Sequence, residues 1–132
     1  MDLNTFMQNY AQEIKGQYSE YNQTISIIIM PLTDGRFQTV YGEKKMEKKY
    51  QKEIIEFRSK VCDYEDSVDL KMLLSEHANF CHAKFSLVDS EIQVEASLFI
   101  ETATEHALKE AIQEVGNLAD EYEFKLTGID IN

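Results

Sequence analysis

Apolar residues recur with two different periods along this 132-residue chain. In the stretches 83–87 and 92–100 every second residue is apolar, which is the pattern of strands with one buried face. Beyond residue 102 the spacing becomes three and four, which predicts an amphipathic helix. Its apolar stripe is Leu108, Ala111, Ile112, Val115, Leu118, Ala119 and Tyr122. The wet side is predicted to carry the acids, including Asp120 and Glu123.

Two helix starts have capping signals. Thr102-Ala103-Thr104-Glu105 has the spacing of a capping box, in which a Thr hydroxyl and a Glu carboxylate bond to backbone N–H groups of the first turn. Ser67 is predicted to cap a shorter helix that ends near Asn79. That helix has one shared face, made of Leu70, Leu73, Leu74 and His77.

The amino-terminal half begins with a predicted helix that Gly16 ends. Its apolar face is Leu3, Phe6, Met7, Tyr10 and Ile14. A hairpin follows, because the turn sequence 33–36 separates the β-branched run 24–32 from the alternating run 37–41. A third strand is predicted at 55–61, where apolar residues alternate with charged ones, and residues 88–91 close a second hairpin.

The predicted order is α-β-β-β-α-β-β-α. At this length it indicates an α+β fold, in which an antiparallel sheet has helices packed on one face. One Pro, five Gly and no low-complexity tract predict a single domain over residues 1–132. The amino-terminal residues lack the basic start and the continuous apolar run of a secretory signal, and the longest apolar run of the chain, 27–30, is too short to span a bilayer. We therefore expect a soluble, cytoplasmic protein that does not contact a membrane.

The formal charge is −11, and residues 63–132 hold sixteen acids against four bases. Such a surface repels phosphate backbones, so we do not expect nucleic acid to be a partner. A basic patch lies in the other half, at Lys44, Lys45, Lys48, Lys49 and Lys52. The favoured interpretation is a solvated connection between two strands, and the alternative is a site for a phosphate or carboxylate group.

The element order, the acidic balance and three sequence stretches resemble the type III secretion chaperone fold and the YbjN-like bacterial proteins. The stretches are 67–74, the strand pair 83–87 with 92–96, and the end of the last helix at 117–123. The resemblance implies dimers without catalytic residues that hold an extended or partly helical segment of another protein. The lysine patch and the polar third strand depart from the secretion chaperones.

The sequence has no strong catalytic or metal-binding motif. Cys62, His77, Cys81 and His82 have no metal-site spacing, and neighbours such as Cys81 and His82 point to opposite faces if they lie in a strand. We expect two buried free thiols and no metal or cofactor. His106 begins a helix, where the dipole disfavours an imidazolium, so a surface histidine is the expectation. No catalytic residue is assigned, and an enzyme is not expected.

Two function hypotheses remain. The first is a non-catalytic protein-binding module, chaperone- or adaptor-like, that binds a protein or peptide segment. The alternative is a domain that binds a small molecule or regulatory ligand at the lysine patch or between sheet and helix. Phe80, Val88 and Phe99 lie out of phase with the predicted buried faces, so they are the candidate partner-binding residues, and a homodimer is expected.

Overall fold

The computed structural model describes residues 2–128. Within them the chain forms three α-helices, six strands and one short 3-10 turn. In chain order these are α1 (Leu3–Glu13), β1 (Gln17–Glu20), β2 (Ile25–Pro31), the 3-10 turn Thr33–Gly35, β3 (Phe37–Glu47), β4 (Lys52–Asp63), α2 (Leu70–His77), β5 (Lys84–Val88), β6 (Glu91–Phe99) and α3 (Glu105–Thr127).

The strands form one antiparallel sheet in the order β1-β2-β3-β4-β6-β5. Helix α1 packs over β1, β2 and β3, α3 crosses β3, β4 and β6, and α2 lies beside β5. The α+β fold with helices on one face is therefore confirmed. The core lies between this face and the helices, with Phe57, Ile55 and Val94 of the sheet against Leu108 and Ile112 of α3.

Strand β1 is the one described strand that the predicted order lacks. Its residues, Gln17-Tyr18-Ser19-Glu20, are mostly polar and exposed, so no alternating apolar pattern marks them. The strand forms because β2 offers a free edge, along which Tyr18 pairs with Ile28. Pairing with the next strand along the chain, rather than the propensity of its own residues, creates this strand.

Strand β3 turns an unexpected set of side chains towards the helices. Gln38 and Val40 are buried, whereas Phe37 is half exposed on the other face. Gln38 is accommodated because its Nε2 donates to Ser59 Oγ at 2.9 Å and to the carbonyl oxygen of Lys60 at 3.1 Å. These bonds compensate the burial of the amide nitrogen, whereas the buried Oε1 has no hydrogen-bond partner among the described residues.

Both predicted helix caps are wrong in detail. The residue that caps α2 is Asp69 rather than Ser67, with its carboxylate accepting from the backbone N–H of Met72 at 3.0 Å. Thr104 rather than Thr102 caps α3, and its hydroxyl accepts from the N–H of Ala107 at 3.1 Å. Glu105 is then the first residue of the helix, too early to complete a capping box.

The buried stripe of α3 is wider than its apolar residues indicate, because Asp120 and Glu123 are buried and not on the wet side. Asp120 is compensated by Arg36 from the β2–β3 connection, whose Nη2 lies 2.9 Å from Oδ2. This ion pair joins the first hairpin to the last helix across 84 positions of sequence.

Candidate protein-binding surface

Helix α2 and strand β5 enclose an open apolar groove at one end of the sheet. The predicted shared face of α2 is confirmed, since all four of its members line the groove together with Phe85, Ser86, Leu87 and Ile92. Only Leu73 of that face is buried; Leu70 is 50% exposed and Leu74 is 73% exposed. Leu87 on the facing strand is 56% exposed. The groove has a volume of about 320 Å³ and an almost wholly apolar lining.

The edge of β5 borders this groove. Among the described residues, β5 pairs with β6 alone, so its other edge presents backbone N–H and C=O groups to solvent. Exposed edges of this kind are templates for pairing with another chain unless charge or a covering element blocks them. Lys84 is the one charged residue of the strand, and it leans over the uncovered face of the sheet, where its Nζ lies 3.7 Å from Glu95 Oε1.

Four aromatic rings form a cluster next to the groove. Phe85 meets Tyr122 of α3 edge-on with ring centroids 4.9 Å apart, and Phe80 lies 5.2 Å from Phe85 and 5.8 Å from Tyr122. His77 completes the cluster at 5.7 Å from Phe85. Burial raises the pKa of the Tyr122 hydroxyl. Aromatic pairs at these distances stabilise the cluster by more than the burial of their apolar surface contributes.

Glu114 fixes the connection between α2 and β5. Its carboxylate accepts three consecutive backbone N–H groups, from Cys81 at 2.8 Å and from His82 and Ala83 at 2.7 Å each. Charge-assisted bonds of this length are among the stronger ones in proteins. Glu114 therefore holds the entry to β5 against α3, a role that its predicted place on the wet side of the helix did not indicate.

The three candidate partner-binding residues lie in different surroundings. Val88 is 47% exposed at the end of β5, on the face of the sheet that carries no helix. Phe80 is half-buried in the ring cluster of its own chain. Phe99 is half-buried on the uncovered face, where Tyr50 of the β3–β4 turn meets it edge-on at 5.7 Å and Lys52 Nζ lies 5.5 Å from its ring. The structure does not bring these three residues together.

The cysteines are both free, but the prediction that both are buried is wrong for Cys81, which is exposed. The segment 81–83 precedes β5 and is a loop, not part of a strand. Burial raises the pKa of the Cys62 thiol. His106 is a surface residue with its Nε2 3.7 Å from Glu110 Oε1. Between residues 2 and 128 no three His, Cys, Asp or Glu side chains are grouped to hold a metal ion.

The lysine patch lies at the end of the β3–β4 hairpin and in its turn, as its favoured interpretation predicts. Three of its lysines pair with carboxylates of neighbouring strands or loops: Lys44 with Glu53, Lys45 with Glu56 and Lys52 with Glu101. These ammonium groups point to different partners. They do not converge on a common point where an anion would bind.

Solved structures share this architecture. A chain of the HopA1–SchA chaperone–effector complex superposes with a TM-score of 0.58 at 12% identity over 90% of this chain and 91% of that one. A chain of the heterodimeric ExoU–SpcU complex from the type III secretion system of Pseudomonas aeruginosa gives 0.66 at 10% identity over 96% and 99%. The ExsC–ExsE complex gives 0.54 at 12% identity over 96% and 97%. No family model and no curated protein matches the sequence.

The chain thus has a type III secretion chaperone-like fold, and identities this low establish the fold alone. Across residues 2–128, no helix is both long enough and apolar enough to cross a membrane.

Proposed function

We propose that this chain is a non-catalytic protein-binding module of the chaperone or adaptor type that acts in the cytoplasm. The observation that carries the proposal is the open groove between α2 and β5, where Leu70, Leu74 and Leu87 are at least half exposed. Soluble proteins rarely leave contiguous apolar side chains beside an unpaired strand edge unless another chain covers them.

The geometry suits a polypeptide better than a compact ligand. A strand that pairs with the free edge of β5 satisfies its backbone groups there and directs alternate side chains into the groove, so affinity comes from burial and specificity from side-chain fit. The HopA1–SchA chaperone–effector complex, a chain of which shares this fold, supports a protein as the partner. The net charge of −11 favours partners with basic flanks, mainly by speeding encounter.

A small apolar ligand is the second candidate function. The groove, at about 320 Å³, is near the lower limit of about 300 Å³ for sites that hold such molecules. Its position at an open sheet edge favours a chain over a small molecule, because much of a compact ligand would stay exposed there. The YbjN-like resemblance stays a sequence-based prediction.

Leu74→Ser combined with Leu87→Ser tests the proposal. Both side chains are exposed, so we expect the double variant to fold with little change in stability. Binding of a partner segment, identified by native mass spectrometry of the complex from source cells and then rebuilt from purified components, is expected to weaken by roughly 1–3 kcal/mol for each lost apolar contact. Titration calorimetry on the rebuilt complex measures the loss.

Phe124→Ser is the matched control, because Phe124 is 64% exposed on α3 but does not line the groove. It is expected to bind the partner as the unchanged protein does. Equal loss in both variants, or no loss in the double variant, contradicts the proposed surface. A small bound mass that is displaced by the double substitution would instead support the ligand-binding alternative.

We also propose that the purified chain is a homodimer. Of the three residues that the sequence suggested for this contact, Val88 lies at the same edge as the groove.

A further inference from the structure

Strand β2 is apolar on both of its faces, although the helices of residues 2–128 cover only one. Ile28 and Met30 point towards the helices and are fully buried. Ile25, Ile27 and Ile29 alternate with them, point to the other side of the sheet and are partly exposed. None of these three belongs to the hydrophobic core or to the side chains packed against it. Near-continuous apolar strands are typical of sheets with a layer on each face, so β2 has the sequence of a strand covered on both sides.

The first half of β3 extends this apolar surface. In the register of the two strands Ile27 lies opposite Tyr41, and Pro31 lies opposite Phe37, which is 50% exposed. Directly opposite side chains contact each other, so the surface is contiguous. We call it the β2 face, and its members are Ile25, Ile27, Ile29, Pro31, Phe37 and Tyr41. Contiguous apolar surfaces on soluble proteins mark sites of interaction.

The other half of the same sheet face is charged, and its charges are paired within the chain. Arg58 Nη1 lies 3.0 Å from Glu43 Oε1 and 3.6 Å from Glu56 Oε1. Lys84 of β5 lies over the same face, with its Nζ 3.7 Å from Glu95 Oε1. Strands β4 and β6 thus show the alternation that a solvated sheet face favours. The apolar character of β2 is therefore not a general property of this side of the sheet.

The backbone of β2 restricts what can cover the β2 face. Strand β2 pairs with β1 along one edge and with β3 along the other, so it offers no free edge to an added strand. A polypeptide lying on this face has to make its backbone hydrogen bonds internally, because buried groups without partners cost free energy. An amphipathic α-helix does so and presents one apolar stripe. Helix α1 covers the opposite side of the same strands in this way.

The charges near the β2 face indicate which polar residues such a helix carries. Residues 17–43, which form β1, β2 and the start of β3, hold three acids, Glu20, Asp34 and Glu43, and one base, Arg36. The guanidinium of Arg36 is already engaged, 2.9 Å from Asp120 Oδ2. The whole chain carries a formal charge of −11. Lys and Arg along the flanks of the partner helix are therefore complementary to this part of the surface.

We propose that the β2 face binds an amphipathic α-helix of a partner protein, with the apolar stripe of the helix on Ile25, Ile27 and Ile29 and basic residues on its flanks. The partner helix adds a third layer, so that β2 is covered on both faces. The inference goes beyond the proposed function, because it concerns the sheet face opposite to the helices and a helical partner. The groove between α2 and β5 accepts an added strand, and neither surface requires the other.

A designed peptide tests the proposal. The probe has about 18 residues, enough to form a helix in water, with Leu at three-and-four spacing, Lys and Ala elsewhere and one Trp in the apolar stripe. Because this chain contains no Trp, indole fluorescence reports the peptide alone. A second peptide of the same composition spreads its apolar residues around the helix, which keeps the charge and removes the stripe. We expect the first peptide to bind at least roughly tenfold more tightly at physiological ionic strength.

Ile27→Thr combined with Ile29→Thr locates the binding site. Thr is also β-branched, so the variant keeps the strand propensity of β2 and loses its apolar surface. Affinity for the first peptide is expected to fall at least roughly tenfold. Val88→Thr is the matched control, because Val88 is 47% exposed on the same side of the sheet but lies at its other end, on β5. It is expected to bind the peptide as the unchanged protein does, and urea titration confirms that both variants fold.

Methyl NMR of the unchanged protein supplies a measurement that does not depend on substitutions. The peptide is expected to shift the methyl signals of Ile25, Ile27 and Ile29, and to leave unshifted those of Ile112, which is fully buried on α3. Shifts confined to the leucines of α2 would place the peptide in the groove and overturn the inference.

Every other outcome also decides between the surfaces. Equal affinity of the two peptides, or unchanged affinity in the Ile27→Thr, Ile29→Thr variant, overturns the inference. Loss of peptide binding only in the Leu74→Ser, Leu87→Ser variant overturns it as well and leaves the proposed function standing. Peptide binding that needs Ile27 and Ile29, with no partner segment dependent on the groove, supports the inference and contradicts the proposed function. A dimer that dissociates in the double threonine variant means that a second copy covers the β2 face, and overturns the partner helix.

Discussion

Each end of the sheet has an edge strand with a helix beside it, but the two helices cover the sheet to different extents. At one end α1 covers β1 and β2 and buries five side chains, Leu3, Phe6, Met7, Tyr10 and Ala11. At the other end α2 lies beside β5 and buries only Leu73. The β1 edge is polar and exposed, whereas the β5 edge carries the apolar pair Phe85 and Leu87. The first end is closed by its own helix, and the second is left open.

The difference indicates where stability and binding reside. Apolar side chains that are buried in the chain stabilise its fold, while those left exposed stabilise only what comes to cover them. At the closed end even the polar groups are paired within the chain, since Asn4 Nδ2 of α1 donates to Glu20 Oε1 of β1 at 2.5 Å. The open end keeps its apolar surface beside an unpaired strand edge, which is the arrangement on which the proposed binding function rests.

The largest expected effect comes from Phe6→Ala at the closed end. Phe6 is 6% exposed and stacks on Tyr10 with ring centroids 6.2 Å apart, so its removal leaves a cavity between α1 and the sheet. We expect a loss of about 3–5 kcal/mol in the free energy of unfolding, measured by urea titration. Leu74→Ala at the open end is the comparison, with an expected change within about 0.5 kcal/mol.

Equal losses in these two variants would contradict the division of the molecule into a closed and an open end. A large loss for Leu74→Ala accompanied by dissociation of a dimer would instead mean that α2 is buried in the assembly, which the concentration dependence of the midpoint would reveal.

Glu114→Ala has the next largest expected effect and acts at the open end. Removing the carboxylate leaves the N–H groups of Cys81, His82 and Ala83 without their acceptor. Water replaces part of these bonds because Cys81 and His82 are exposed, so we expect a loss of about 1–3 kcal/mol. Amide hydrogen exchange of residues 81–83 is expected to accelerate, while exchange in α1 stays unchanged.

Glu110→Ala is the control for this prediction, since Glu110 lies one turn earlier on α3 and pairs with the surface residue His106. Its expected change is below about 0.5 kcal/mol. Faster exchange over all of β6 and α3 in Glu114→Ala would show that the carboxylate supports the whole fold rather than the connection to β5.

The sequence predicts the fold well because the periodic elements are long and their buried faces are apolar. The third strand, the second hairpin and α3 follow from spacing alone, and the Asp89-Ser90 turn adopts the left-handed backbone that a two-residue hairpin needs, with φ of 50° and 64°. The proposed binding surface is harder to predict, since exposure of Leu70 and Leu74 depends on what lies beside α2. The local pattern predicts that these residues share one face of a helix. It does not predict whether another part of the protein covers that face.

Long-range polar contacts are the other part that sequence reasoning misses. Glu114 bonds to N–H groups more than thirty positions away, and Asp120 pairs with Arg36, which lies 84 positions earlier in the chain. Neither residue differs in local pattern from the solvated acids around it. Gln38 is buried for the same kind of reason, because its partners Ser59 and Lys60 belong to another strand.

The smallest expected effect is a pH dependence at the closed end. Tyr10 anchors α1 to α3 through the bond from Gln113 Nε2 to its hydroxyl at 2.9 Å, and burial raises the pKa of this hydroxyl above its ordinary value of 10.0. The unfolded chain therefore releases the phenolic proton at a lower pH than the folded one. The stabilisation from Tyr10 is complete below pH 10 and is lost as the pH rises through the folded-state pKa.

Tyr10→Phe tests this assignment because it removes the titrating group and keeps the ring. We expect the variant to lose at most about 1 kcal/mol near neutral pH, through the missing hydrogen bond to Gln113. Above pH 10 its stability is expected to fall less steeply than that of the unchanged protein, as measured by urea titrations at successive pH values. Parallel curves would place the alkaline sensitivity at another buried hydroxyl, with Tyr122 at the open end as the first to substitute, because burial raises its pKa as well.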